Sequence, residues 1–93
     1  MIIKNRKILD DIIRQLQNDD MDLDHRTFAN YDDGNIYIEA CVKWIIESYY
    51  NYIDGYLEGV YDEVVDWEDL EIDAWVGDEK ADVDWEYIEA NLF

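Results

Sequence analysis

Acidic side chains crowd the second half of this chain. Between Asp62 and Glu89 there are thirteen carboxylates, and Asp62, Glu63, Asp66, Glu68, Asp69, Glu71, Asp73, Asp78 and Glu79 fall within its first stretch together with the indole of Trp75. On an extended strand, side chains two apart share a face at about 7 Å. Asp69, Glu71 and Asp73 would therefore form a row of negative charge at an interval of the order of the phosphate spacing along a DNA strand. The chemistry open to such a row is recognition of a cationic surface by long-range attraction. The same residues on an ordinary strand would be a solvated acidic face, and a charge of about −5 to −8 is usual for a small domain. The formal charge of −18 asks for more than solubility.

Other chemistries find less support. Acid-base catalysis by paired carboxyl groups needs a fixed separation in a cleft, and no spacing here selects one pair over a dozen others. His25 is the one histidine; its place on the first strand faces it toward the core, which suits a structural histidine better than a general base. Cys41 lies mid-strand opposite Arg26, a neighbour able to lower a thiol pKa, yet an inert strand cysteine is the simpler reading. The calcium-loop pattern is missing: Asp82, Asp84 and Glu86 alternate without the glycine that such a loop requires. No glycine-rich phosphate cradle and no nucleophile paired with a base is present. The expectation is a protein without enzymatic activity, cofactor or metal.

The elements that must position the acids follow from periodicity. Asp33-Gly34 is a turn signal, and after it Ile36, Ile38, Ala40, Val42, Trp44 and Ile46 alternate with Tyr37, Glu39, Cys41, Lys43 and Glu47, the pattern of a half-buried strand. Folding back through Asp33-Gly34 pairs Tyr31 with Ile36, Ala29 with Ile38, Thr27 with Ala40 and Leu23 with Trp44, while Asp24 meets Lys43. Upstream, Ile8, Leu9, Ile12, Ile13 and Leu16 recur at helical spacing and predict a helix of about four turns from Ile2 to Leu16, ended by Asn18-Asp19-Asp20. From Tyr49 to Tyr61 a loop leading into a strand is preferred, with a helix as competitor, because Gly55 and Gly59 interrupt an aromatic run. Leu70, Ile72, Ala74 and Val76 alternate as a third strand. Val65 and Trp67 have the opposite parity, which requires a bulge near Asp66 to Asp69. A turn at Gly77 to Lys80, a short strand at Ala81 to Val83 and a helix capped by Asp84 complete the chain. The fold class expected is α+β, a single domain over residues 1–93, with the N-terminal helix packed on a three- or four-stranded antiparallel meander and a short C-terminal helix.

Composition agrees with a folded, cytoplasmic chain. Nearly half of the residues are apolar, with four Trp and eight Tyr, enough to offset the entropy of ordering despite the charge. One cysteine forms no internal disulfide, and the start of the chain lacks the apolar core of a signal peptide. Residues 1–18 carry a net +2, from Lys4, Arg6, Lys7 and Arg14 against Asp10 and Asp11, so the remainder carries −20. The sign excludes nucleic acid and anionic membrane as direct partners and leaves a basic protein, such as a nuclease or other nucleic-acid-binding effector.

In size, in its acidity, in its lone Cys41 and in the acid-aromatic run from Val60 to Trp75, the chain resembles the small acidic DNA-mimic inhibitors of phages and mobile elements, among them anti-CRISPR and anti-restriction proteins. The resemblance is one of character and carries no aligned motif. It implies stoichiometric inhibition of a nucleic-acid-binding target through Asp62, Glu63, Asp66, Glu68, Asp69, Glu71, Asp73, Trp75, Asp78 and Glu79. The alternative is a protein-protein interaction module, a homodimer formed through a sheet edge or the aromatic residues of 49–61.

Overall fold

The computed structural model describes residues 1–18 and 20–93. In chain order its elements are β1 (Ile2–Ile3), α1 (Arg6–Leu16), β2 (Arg26–Asp32), β3 (Ile36–Ile53), β4 (Tyr56–Val76), β5 (Glu79–Val83) and α2 (Trp85–Asn91). The strands form one sheet in the order β1-β5-β4-β3-β2, antiparallel except for the β1–β5 pair. The class is α+β, with a larger sheet than the three or four strands expected.

Helix α1 starts later than its hydrophobic spacing implied. The Asn5 side chain accepts from the amides of Lys7 (3.0 Å) and Ile8 (3.4 Å), satisfying donors that a first turn leaves free. Ile2 and Ile3 are thereby released to pair with Asp82 and Val83, and Ile3 is buried there. The helix is eleven residues long, and it buries Ile8, Leu9, Ile12, Ile13 and Leu16 as its periodicity predicts. Asn18 and Asp20 follow its end; Asp19, part of the expected stop, lies outside the described residues.

The β2–β3 hairpin keeps the expected faces in a different register. Thr27 pairs with Val42, Ala29 with Ala40 and Tyr31 with Ile38, a slip of two residues that leaves parity unchanged. The turn itself causes the slip. Asp33 Oδ1 accepts from the amides of Asn35 (2.9 Å) and Ile36 (2.7 Å), so Asp33 stands before the turn, and Gly34 takes the positive φ of 87°. Two contacts expected from the other register are absent. Asp24 does not face Lys43, whose partner is Arg26, and Leu23 is fully exposed. His25 is exposed too, with φ of 60°, in a turn where the Asp22 carboxylate accepts from the amides of Asp24 (2.9 Å) and Arg26 (3.0 Å). It precedes the strand and so does not face the core.

The Asp33 carboxylate is held below its ordinary value, first by the Ile36 amide and then by that of Asn35. Because the folded value is depressed, its contribution is present above the unfolded value of 3.8 and is lost as pH falls through the folded one. Asp33→Ala is expected to lower the melting temperature at neutral pH. The gap to wild type should close on acidification, as read by circular dichroism melts at a series of pH values.

The segment 49–61 is neither loop nor helix. It continues β3 and β4 as a two-stranded ribbon closed by Asp54-Gly55, both at positive φ (53° and 82°), the geometry of a type I′ hairpin. The ribbon gives the molecule its length: the principal extents are 62 × 22 × 20 Å.

The core lies on one face of the sheet. Ile38, Ala40, Val42 and Trp44 of β3, Ala29 of β2, Ala74 of β4 and Val83 of β5 are buried in one cluster with the apolar stripe of α1 and with Ile88 and Leu92. A small polar knot sits inside it: Trp44 Nε1 donates to Thr27 Oγ1 (2.9 Å) and to the Leu16 carbonyl (3.2 Å), and the Thr27 hydroxyl donates to that same carbonyl. Among the described residues no buried side-chain polar atom lacks a partner.

Candidate functional site

The face of the sheet opposite the helices carries the acids. Across β3 and β4 its rungs read Tyr37–Trp75, Glu39–Asp73, Cys41–Glu71, Lys43–Glu68, Ile45–Asp66, Glu47–Glu63 and Tyr49–Tyr61. The numbers on β4 change parity twice along this series. A strict alternation would turn Glu68 and Asp66 toward the helices once Asp73 and Glu71 point away. Two bulges prevent this. Between Cys41 and Lys43 the two residues Asp69 and Leu70 oppose the single Val42, with Asp69 at φ of 51°, and Val65 is the extra residue between Ile45 and Ile46. The first lies where the parity change predicts it. Each bulge returns acids to the solvent face and apolar residues, Trp67 and Val64, to the helix face.

The result is a row of Glu63, Asp66, Glu68, Asp69, Glu71 and Asp73 along β4, with Glu39 and Glu47 beside it on β3. Two rungs place carboxylates directly opposite one another, Glu39 against Asp73 and Glu47 against Glu63. Like charges in that position destabilise a sheet. Partial compensation comes from three cations on the same face: Arg26 lies 4.0 Å from Asp69, Lys43 3.7 Å from Glu68 and Lys80 3.2 Å from Asp73. None of the three is deeply buried, so each ion pair contributes little to stability. Glu63, Asp66 and Glu71 have no ion pair within the chain's described residues.

Aromatic groups frame the row. Tyr37 and Trp75 form a tilted pair, 5.6 Å between ring centres and 43° between planes, and the ammonium of Lys80 stands 5.8 Å from the centre of the Trp75 ring. Tyr37 donates to Glu39, and Tyr49 donates to Glu47 (2.8 Å). Both phenols are raised above their ordinary value, chiefly because the hydrogen bond to a carboxylate holds the proton. The Arg26 guanidinium, also raised, donates to Cys41 Sγ at 3.8 Å with Asp69 and Glu71 nearby. A shallow depression of about 580 Å³, open to solvent, lies among Phe28, Glu39, Cys41, Glu71 and Asp73.

Of the residues singled out from the sequence, Glu63, Asp66, Glu68, Asp69, Glu71, Asp73 and Trp75 are brought together on this face. Asp62 is not: it sits on the other face of the ribbon and accepts from the Ser48 hydroxyl (2.6 Å). Glu79 pairs with Val76 on the helix-side parity, and Asp78 belongs to the β4–β5 turn. Sequence reasoning missed Glu39 and Glu47. Their alternation with Ile38, Ala40 and Ile46 already assigned them to the solvent side, and only the cross-strand register joins them to β4. Among the described residues, no group of three His, Cys, Asp or Glu side chains converges as a metal site, and no helix is long and apolar enough to cross a membrane. No protein-family model, curated protein or solved structure matches this chain.

Proposed function

We propose that the protein is an acidic inhibitor that occupies the nucleic-acid-binding groove of a basic partner protein, its β4 carboxylates taking the places of backbone phosphates. The observation that carries this reading is the pair of bulges that hold six acids in one row, together with acid-acid rungs that work against the fold. A surface serving solubility alone has no need of rungs that cost stability, whereas a template for a cationic groove needs charge at those places. The row stands on a strand hydrogen-bonded to β3 along its length, so the carboxylates are held in place beforehand and little ordering entropy is lost on binding. Binding is stoichiometric and without turnover, in the cytoplasm of a host cell where Cys41 stays a thiol.

The test is capture of a basic protein from a host lysate by the immobilised chain at low salt, repeated with duplex DNA as competitor. The expected result is a complex that DNA displaces and whose affinity falls steeply as ionic strength rises. A complex indifferent to both DNA and salt would rule the reading out.

A further inference from the structure

The ribbon beyond Ile46 and Val64 has no covering element on either face among the described residues, and eight of the fourteen exposed large apolar side chains lie between Tyr49 and Tyr61. A bare two-stranded hairpin is marginal in water, and a concentration of exposed apolar surface marks an interaction site. Its charge narrows the occupant. From Trp44 to Glu79 there is no Lys, Arg or His, and the ribbon itself carries Glu47, Asp54, Glu58, Asp62 and Glu63. A second ribbon of this chain brings like charge against like.

Elsewhere the same chain shows what such rings and acids accept. The Arg6 guanidinium lies 4.2 Å over the Tyr87 ring, and the Tyr87 hydroxyl donates to Asp10. Lys80 repeats the theme with Trp75 and Asp73. On the ribbon, Tyr49 donates to Glu47 (2.8 Å), and the next rungs set Tyr61 beside Tyr49 and Glu63 beside Glu47. Ring and carboxylate are in the same relation as in the Tyr87 cluster, and no cation among the described residues stands by them. A planar guanidinium can stack on a phenol while its fork reaches the adjacent carboxylate, which an ammonium does less well. We propose that the ribbon is a docking arm whose Tyr49–Tyr61 and Glu47–Glu63 rungs seat arginine side chains of the partner protein. This inference rests on the reading of the acidic face given above and adds to it the arm and the choice of arginine over lysine.

Fluorescence anisotropy with labelled oligo-arginine and oligo-lysine peptides of equal length tests it, using the intact chain and the double variant Tyr49→Ser, Tyr61→Ser. Both positions are exposed, so the variant should fold, as its thermal melt will show. At low salt the intact chain is expected to bind the arginine peptide about fivefold more tightly than the lysine peptide. The variant should lose that preference and retain the lysine peptide through the β4 row. A preference absent in the intact chain, or unchanged in the variant, would overturn the arm assignment and leave the acidic face standing. If neither peptide binds in a salt-dependent way, the acidic-face reading fails first. Sedimentation equilibrium adds a further outcome: self-association of the intact chain that the double variant abolishes would give the arm to a second copy and end the proposal.

Discussion

Trp44→Ala is expected to destabilise the domain by about 3–5 kcal/mol, the usual cost of removing a large aromatic side chain from a core. Trp44 is 4% exposed and stands where three parts of the fold meet. Its ring sits in the sheet's buried row, its rung partner is Trp67, and its indole N–H reaches both Thr27 and the carbonyl that ends α1. Truncation removes the packing of the ring and takes one donor from the Leu16 carbonyl at once. Native domains are stable by only about 5–15 kcal/mol, and this one also carries the self-repulsion of its charge. Urea unfolding followed by circular dichroism should show the midpoint collapse. Trp44→Phe separates the two contributions: it keeps most of the ring and loses the N–H, and because Thr27 still donates to Leu16 its cost should be about 1–2 kcal/mol. Equal losses for the two variants would show that the polar knot, and not the packing, holds the helix end.

The second large effect runs in opposite directions for stability and for binding. Glu39→Lys with Glu63→Lys converts both acid-acid rungs into opposed charges, facing Asp73 and Glu47. Each conversion should stabilise the sheet by about 0.2–1 kcal/mol, raising the melting temperature. The same variant places two cations in the row offered to a basic groove, and affinity for the partner captured in the DNA-competition experiment should fall by about a hundredfold at low salt. These positions make a cleaner test than Asp69 or Asp73, which face Arg26 and Lys80 and whose reversal would disturb local pairing. A more stable protein that binds as well as before would remove the row from the contact surface.

Parity and rung are legible in a sequence to different degrees. Alternation from Ile36 to Ile46 tells which residues of β3 face the core, and the parity break between Trp67 and Leu70 is enough to place a bulge there. Alternation leaves the rung open, because a slip of two preserves every face; the Asp33 carboxylate, by capping Asn35 and Ile36, settles it. The arm is hidden for a related reason. The extra residue Glu58 opposes the Asn51–Tyr52 step, so strict alternation fails between Leu57 and Val60, while Tyr49, Tyr52, Tyr56 and Val60 fall at helical spacing. The signal that could have exposed it is Asp54-Gly55, the same dipeptide that marks the turn at Asp33-Gly34. β1 is two residues long and depends entirely on a distant partner, which local pattern cannot report. The candidate face is legible as composition, and its continuity across β3 and β4 emerges only from the register between the two strands.

The pairing of Ile2 with Asp82 and Ile3 with Val83 links positions about eighty residues apart. During synthesis the first of these leaves the ribosome long before its mate exists. Contacts of such high sequence separation lose loop-closure entropy before they return anything, and they slow folding. The sheet's outer edge is therefore completed late in folding, and until then the polypeptide presents an unfinished margin for chaperones to guard.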